Sequence, residues 1–72
     1  MTAKERAERV QEAVLALPTA SRTVLILREY EGLSYREIAE TLDIPTGTVM
    51  SRLNYARKLL VTALSEDMEA QL

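Results

Sequence analysis

The chain has 72 residues, 47% hydrophobic and 28% charged, with two glycines and two prolines, a composition that predicts one small ordered domain. Cysteine and histidine are both absent, so disulfides, thiol nucleophiles, imidazole bases and the usual zinc ligand sets are removed, and no enzymatic activity, metal or cofactor is expected. Net charge is -2, no apolar run nears the roughly 20 residues that cross a bilayer, and the polar N-terminal stretch lacks a signal-peptide core, so a soluble cytoplasmic protein is expected.

Strand signals are absent and four helices are predicted. Thr2 with Glu5 forms a capping-box pattern ahead of Val10, Ala13, Val14 and Leu17, whose i, i+3, i+4, i+7 spacing marks one apolar face. This first helix ends before Pro18. A second opens in the 18–21 stretch, runs to about Tyr30 and closes with Gly32 in a left-handed cap. Ser34 and Glu37 form another capping box, and with Ile38, Ala39 and Leu42 on one face they predict a short third helix over Tyr35–Leu42. Asp43 occupies the following turn, as one of the few residues besides glycine that tolerate positive φ. Ile44 is biased away from helical backbone by Pro45, which itself suits a first turn, so the fourth helix opens at Pro45 or Thr46. Val49, Leu53, Ala56, Leu60, Ala63 and Leu64 carry it for about five turns, second in length to the first helix. The expected domain spans 1–72, with a core of about 10–64 and a fraying acidic tail over 65–72.

Charge is unevenly spread. Residues 1–31 balance five basic against five acidic side chains, 32–44 set Arg36 against Glu37, Glu40 and Asp43, and 65–72 hold only Glu66, Asp67 and Glu69. Residues 45–64 carry Arg52, Arg57 and Lys58 with no acid, a local footprint for phosphate. Two helices joined by a tight turn, the second of them basic, meet the requirements of a helix-turn-helix. Ala39 is small where those helices approach, and Ile38, Leu42, Ile44, Val49 and Leu53 are apolar where they share a core.

On a wheel of 100° per residue, Val49, Leu53, Ala56 and Leu60 define the inward direction of the fourth helix. Gly47, Ser51, Asn54, Tyr55, Lys58 and Thr62 lie opposite, with Thr48 and Arg52 on one flank and Met50, Arg57 and Val61 on the other. The start of that face is small and hydrogen-bonding, which suits base edges in a major groove, whereas Arg52, Arg57 and Lys58 suit phosphates. The expected DNA-binding residues are Arg36, Thr46, Thr48, Met50, Ser51, Arg52, Asn54, Tyr55, Arg57 and Lys58. Val24, Leu25, Ile26 and Leu27 point in four directions about 100° apart, so part of the second helix is expected to stay uncovered as a surface for a protein partner. Tyr30 and Tyr35, at helix ends, are expected to be half-buried.

Leu17-Pro18, Val24-Leu25-Ile26-Leu27-Arg28-Glu29, Gly32-Leu33-Ser34-Tyr35-Arg36-Glu37-Ile38-Ala39 and the run from Pro45 through Thr48-Val49-Met50-Ser51-Arg52 to Arg57 resemble one family as a set. Over residues 10–64 the chain resembles region four of bacterial sigma factors, specifically the extracytoplasmic-function group. The resemblance implies an all-α four-helix domain with a helix-turn-helix, of the winged-helix-like DNA-binding superfamily but without a wing. It implies recognition of the upstream, minus-thirty-five promoter element by the fourth helix and docking of the first two on the flap of the RNA polymerase β subunit. Val14, Leu17, Val24, Leu25, Ile26 and Leu27 are the expected partner-binding residues.

The implied partners are promoter DNA, the polymerase core and an anti-sigma factor, with no membrane, and the domain is expected to be a monomer when alone. The resemblance places it in the cytoplasm, nucleoid-associated when bound to polymerase. Members commonly carry Lys or Arg where Met50 stands, often Arg where Tyr55 stands, and frequently Gly where Asp43 stands. The region that reads the downstream promoter element has no counterpart in the chain, which is expected to be a fragment of a two-domain factor rather than a stand-alone relative. Response-regulator-type output domains share the Gly-Leu-Ser, Glu-Ile-Ala and Thr-Val pattern but typically have His where Arg52 stands, so Ser51-Arg52 favours the sigma reading. The remaining alternative is a protein-interaction module bound by an anti-sigma factor, which Met50, Val61 and the acidic balance support.

Overall fold

The Thr2 hydroxyl accepts the Glu5 N–H at 3.1 Å, and this N-cap opens the first of four helices in a computed structural model. The structure describes residues 1–69, and the side chains of 1–65. The elements are α1 (Ala3–Leu15), α2 (Thr19–Glu29), α3 (Tyr35–Leu42) and α4 (Thr46–Glu69), with no strand, and hence no wing, among the described residues.

Each boundary has a local cause. Pro18, with extended backbone, separates α1 from α2, and Arg22 Nη1 donates to the Leu15 carbonyl at 2.8 Å, satisfying an acceptor that the end of α1 leaves open. Gly32 takes φ +71° after α2, a conformation that costs glycine little, and the reversed chain lets the Leu33 N–H reach the Leu27 carbonyl at 3.0 Å. Ser34 and Glu37 complete a reciprocal capping box at the start of α3. Asp43 adopts φ 55° and ψ 50°, the left-handed conformation expected of it. Ile44 N–H then bonds the Ala39 carbonyl at 3.0 Å and Asp43 N–H bonds the Glu40 carbonyl at 3.4 Å, the paired bonds of a Schellman turn.

α4 departs from expectation in length. At 24 residues against 13 for α1 it is the longest element, running past residue 64 to Glu69, because no Gly or Pro follows Gly47 to interrupt it. The rest of the expected tail, residues 70–72, lies outside the described residues. No helix is long and apolar enough to cross a membrane.

α4 is also the hub: it packs against α1, α2 and α3, while α2 additionally touches α3. One apolar core results, in which Val24, Ile38, Val49 and Ala56 are fully buried, Leu53 nearly so, and Val14, Leu17, Leu25 and Ala39 complete the cluster. Leu42, Ile44 and Leu60 pack against it partly buried. Val10, expected on the inner face of α1, is exposed instead, because residues 1–12 extend beyond the reach of the core.

Candidate nucleic-acid interface

Pro45 opens α4 without an N–H of its own, and its carbonyl accepts from Thr48 and Val49 at 3.0 and 3.2 Å, closing the first turn. The buried side chains Val49, Leu53 and Ala56 then fix the rotation of the helix, and that rotation decides which residues face out. Thr46, Gly47, Met50, Ser51, Asn54, Tyr55, Arg57 and Lys58 are exposed, and Thr48 and Arg52 are half-buried on one flank. Arg36, on the neighbouring α3, is exposed as well. The ten residues expected to bind DNA therefore lie at the surface, nine of them between positions 46 and 58 of α4.

Their charges are not equally available. Arg52 and Lys58 make no side-chain ion pair or hydrogen bond among the described residues. Arg36 Nε pairs with Glu40 Oε1 at 3.2 Å along α3, a contact that stays largely in solvent. Arg57 Nη2 reaches across to Glu29 Oε1 on α2 at 3.1 Å. Hydrogen bonds to Glu29 first and Tyr35 second hold the Arg57 guanidinium above its already high ordinary pKa. A segment read from the sequence as acid-free thus receives an acid from 28 residues away.

The helices around this face are pinned by a second arginine. Arg28 lies 4.9 Å over the Tyr35 ring and donates through Nη1 to the Leu33 carbonyl at 2.9 Å, tying the end of α2 to the start of α3. Arg28 and Glu29 belong to a family-like motif in the sequence, but their contacts are not read from it, because these depend on which helices meet. Tyr35 is half-buried as expected, whereas Tyr30 is 61% exposed, since the chain turns away from it after α2.

A different surface lies between α1 and α2, where Gln11, Val14, Leu15, Ile26 and Tyr30 line an open apolar groove of about 400 Å³. Of the six expected partner-binding residues, Val14 and Ile26 border it, Leu27 is half-buried beside the core, and Leu17, Val24 and Leu25 are core residues. Of the apolar spread around the second helix, Val24 and Leu25 are buried in the core, while Ile26 and Leu27 stay partly open. Leu15, 67% exposed, also borders this groove and is an apolar residue off the inner face of α1.

The sequence profile of sigma-70 region 4 matches residues 7–60. The chain is similar to the RNA polymerase sigma-H factor of Pseudomonas aeruginosa, 47% identical over 55 residues covering 76% of this chain and 28% of that protein. It is similar to the ECF RNA polymerase sigma-E factor of Haemophilus influenzae, 43% identical over 60 residues, 83% of this chain and 32% of that one. The sigma-E factor of Escherichia coli K12 is 42% identical over 60 residues, 83% of this chain and 31% of its own length. The chain thus spans about a third or less of the length of these relatives.

Proposed function

The chain belongs to the sigma-70 region 4 family, DNA-binding domains of transcription-initiation factors rather than enzymes, and on that premise we propose that it recognises the minus-thirty-five promoter element with α4. One observation carries the reading: the exposed start of α4 offers Thr46, Gly47, Ser51 and Asn54 beside Arg52 and Lys58, which have no acidic partner among the described residues. Small hydrogen-bonding groups that can approach base edges, flanked by cations for the two phosphate strands, are what major-groove reading needs. Met50 and Tyr55 stand on the same face and set which bases are accepted, Thr48 and Arg57 border it, and Arg36 serves the backbone from α3.

The same reading gives the domain a second partner, RNA polymerase, docked by its β-subunit flap in the groove bordered by Leu15, Ile26 and Tyr30. It acts in the cytoplasm, at the nucleoid when bound to polymerase. Met50, Tyr55 and Val61 are 46%, 51% and 65% exposed, apolar anchors beyond what phosphate binding uses, and they support an anti-sigma factor that covers the DNA face.

Selection from a pool of randomised duplexes at low salt tests the promoter reading. Enrichment of one short element, altered by Ser51→Ala or Asn54→Ala, is the expected result. A pool left unenriched, or an enriched element that both substitutions leave unchanged, overturns it.

A further inference from the structure

The acidic end of α2 and the basic middle of α4 meet in one ion pair, Arg57 Nη2 to Glu29 Oε1 at 3.1 Å. The contact is single-pronged and its side chains are 44% and 52% exposed, so the guanidinium keeps further donors facing solvent. Arg57 therefore has one exposed anionic neighbour that an outside anion can replace. Exposed single-contact pairs are weak, and a phosphate can give a guanidinium two parallel charge-assisted bonds in place of one.

Resting on the DNA-binding reading above, we propose that Glu29 is an internal stand-in for a DNA phosphate. In the free domain it holds Arg57; on a duplex, Arg57 exchanges the Glu29 carboxylate for a phosphate oxygen. The competition makes the free surface less positive and lowers affinity for DNA of any sequence.

Fluorescence anisotropy of the 72-residue chain with a short mixed-sequence duplex, across a salt series, tests the exchange. Glu29→Gln is expected to tighten binding about two- to fivefold, the worth of an exposed pair, with the salt slope unchanged. Arg57→Ala is expected to weaken binding and lower the slope by about 0.9, one phosphate contact. In the Arg57→Ala background, Glu29→Gln is expected to add nothing. Glu31→Gln, an acid two residues on with no ion pair among the described residues, is expected to tighten binding less than Glu29→Gln.

A gain that persists without Arg57, or one matched by Glu31→Gln, overturns the exchange in favour of long-range charge. Weaker binding by Glu29→Gln overturns it in favour of a structural brace. Where Arg57→Ala does not fold by circular dichroism, Arg57→Gln takes its place, and the comparison of Glu29→Gln with Glu31→Gln stands by itself. Failure of the wild-type chain to bind any duplex at low salt overturns the DNA-binding reading and the exchange with it, whereas binding without the pattern above overturns the exchange alone.

Discussion

Ser34 and Glu37 cap one another: the Ser34 hydroxyl accepts the Glu37 N–H at 3.0 Å, and the Glu37 carboxylate accepts the Ser34 N–H at 3.0 Å. α3 has only 8 residues, so its first turn is a large share of it. Ser34→Ala is expected to destabilise the domain by about 1 kcal/mol, seen as a lower urea midpoint with an unchanged slope.

The same pair gives a pH dependence. Bonds from Ser34, backbone first and hydroxyl second, hold the Glu37 carboxyl below its ordinary pKa. A lowered folded value means that the contribution is complete above the ordinary glutamate value of about 4.3 and is lost as pH falls through the lowered one. Urea melts at neutral and acid pH should show Glu37→Gln losing less on acidification than the wild type. Equal losses would mean that Glu37 does not titrate against Ser34.

Gly47 is helical, exposed, and has nothing within 4 Å of where a Cβ would stand. Gly47→Ala should therefore stabilise the fold by about 0.5–1 kcal/mol. Its position at the start of the outward face predicts that DNA binding weakens at the same time. Thermal melts and anisotropy on one sample read both.

At Asp43, with φ 55°, the side chain tolerates a backbone that most residues resist. Asp43→Ala is expected to cost about 1 kcal/mol and Asp43→Gly to be close to neutral, since glycine meets no steric penalty there. Denaturation midpoints separate the two; an Ala variant as stable as the Gly variant would remove the left-handed turn from the account.

Arg52→Ala is expected to weaken binding to all duplexes alike and lower the salt slope by about 0.9. Asn54→Ala should instead cost about 1–3 kcal/mol at one base pair and little elsewhere. Competition anisotropy with single-base variants distinguishes them, and the reverse pattern would exchange the two roles.

The helix boundaries were legible because local chemistry sets them: Thr2, Ser34 with Glu37, Gly32, Asp43, Pro18 and Pro45 act on residues within a turn of themselves. The outward face of α4 was legible for a similar reason, since Val49, Leu53 and Ala56 leave it one direction to pack. Pairings between distant helices were not. Glu29 meeting Arg57, the groove between Leu15 and Tyr30, and the burial of Val24 and Leu25 depend on how helices cross, which periodicity along one helix does not encode. The length of α4 was misjudged because the apolar repeat ends at Leu64 while nothing in the next residues stops a helix.

That one helix carries both the core contacts of the other three and the outward face has a consequence for local opening. The amides around Val49, Leu53 and Ala56 sit in the core where α1, α2 and α3 each pack on α4, so their hydrogen exchange is expected to be far slower than that of the exposed residues 3–12 of α1. Whatever this chain reads with α4, it reads with the element that the other three helices all pack against.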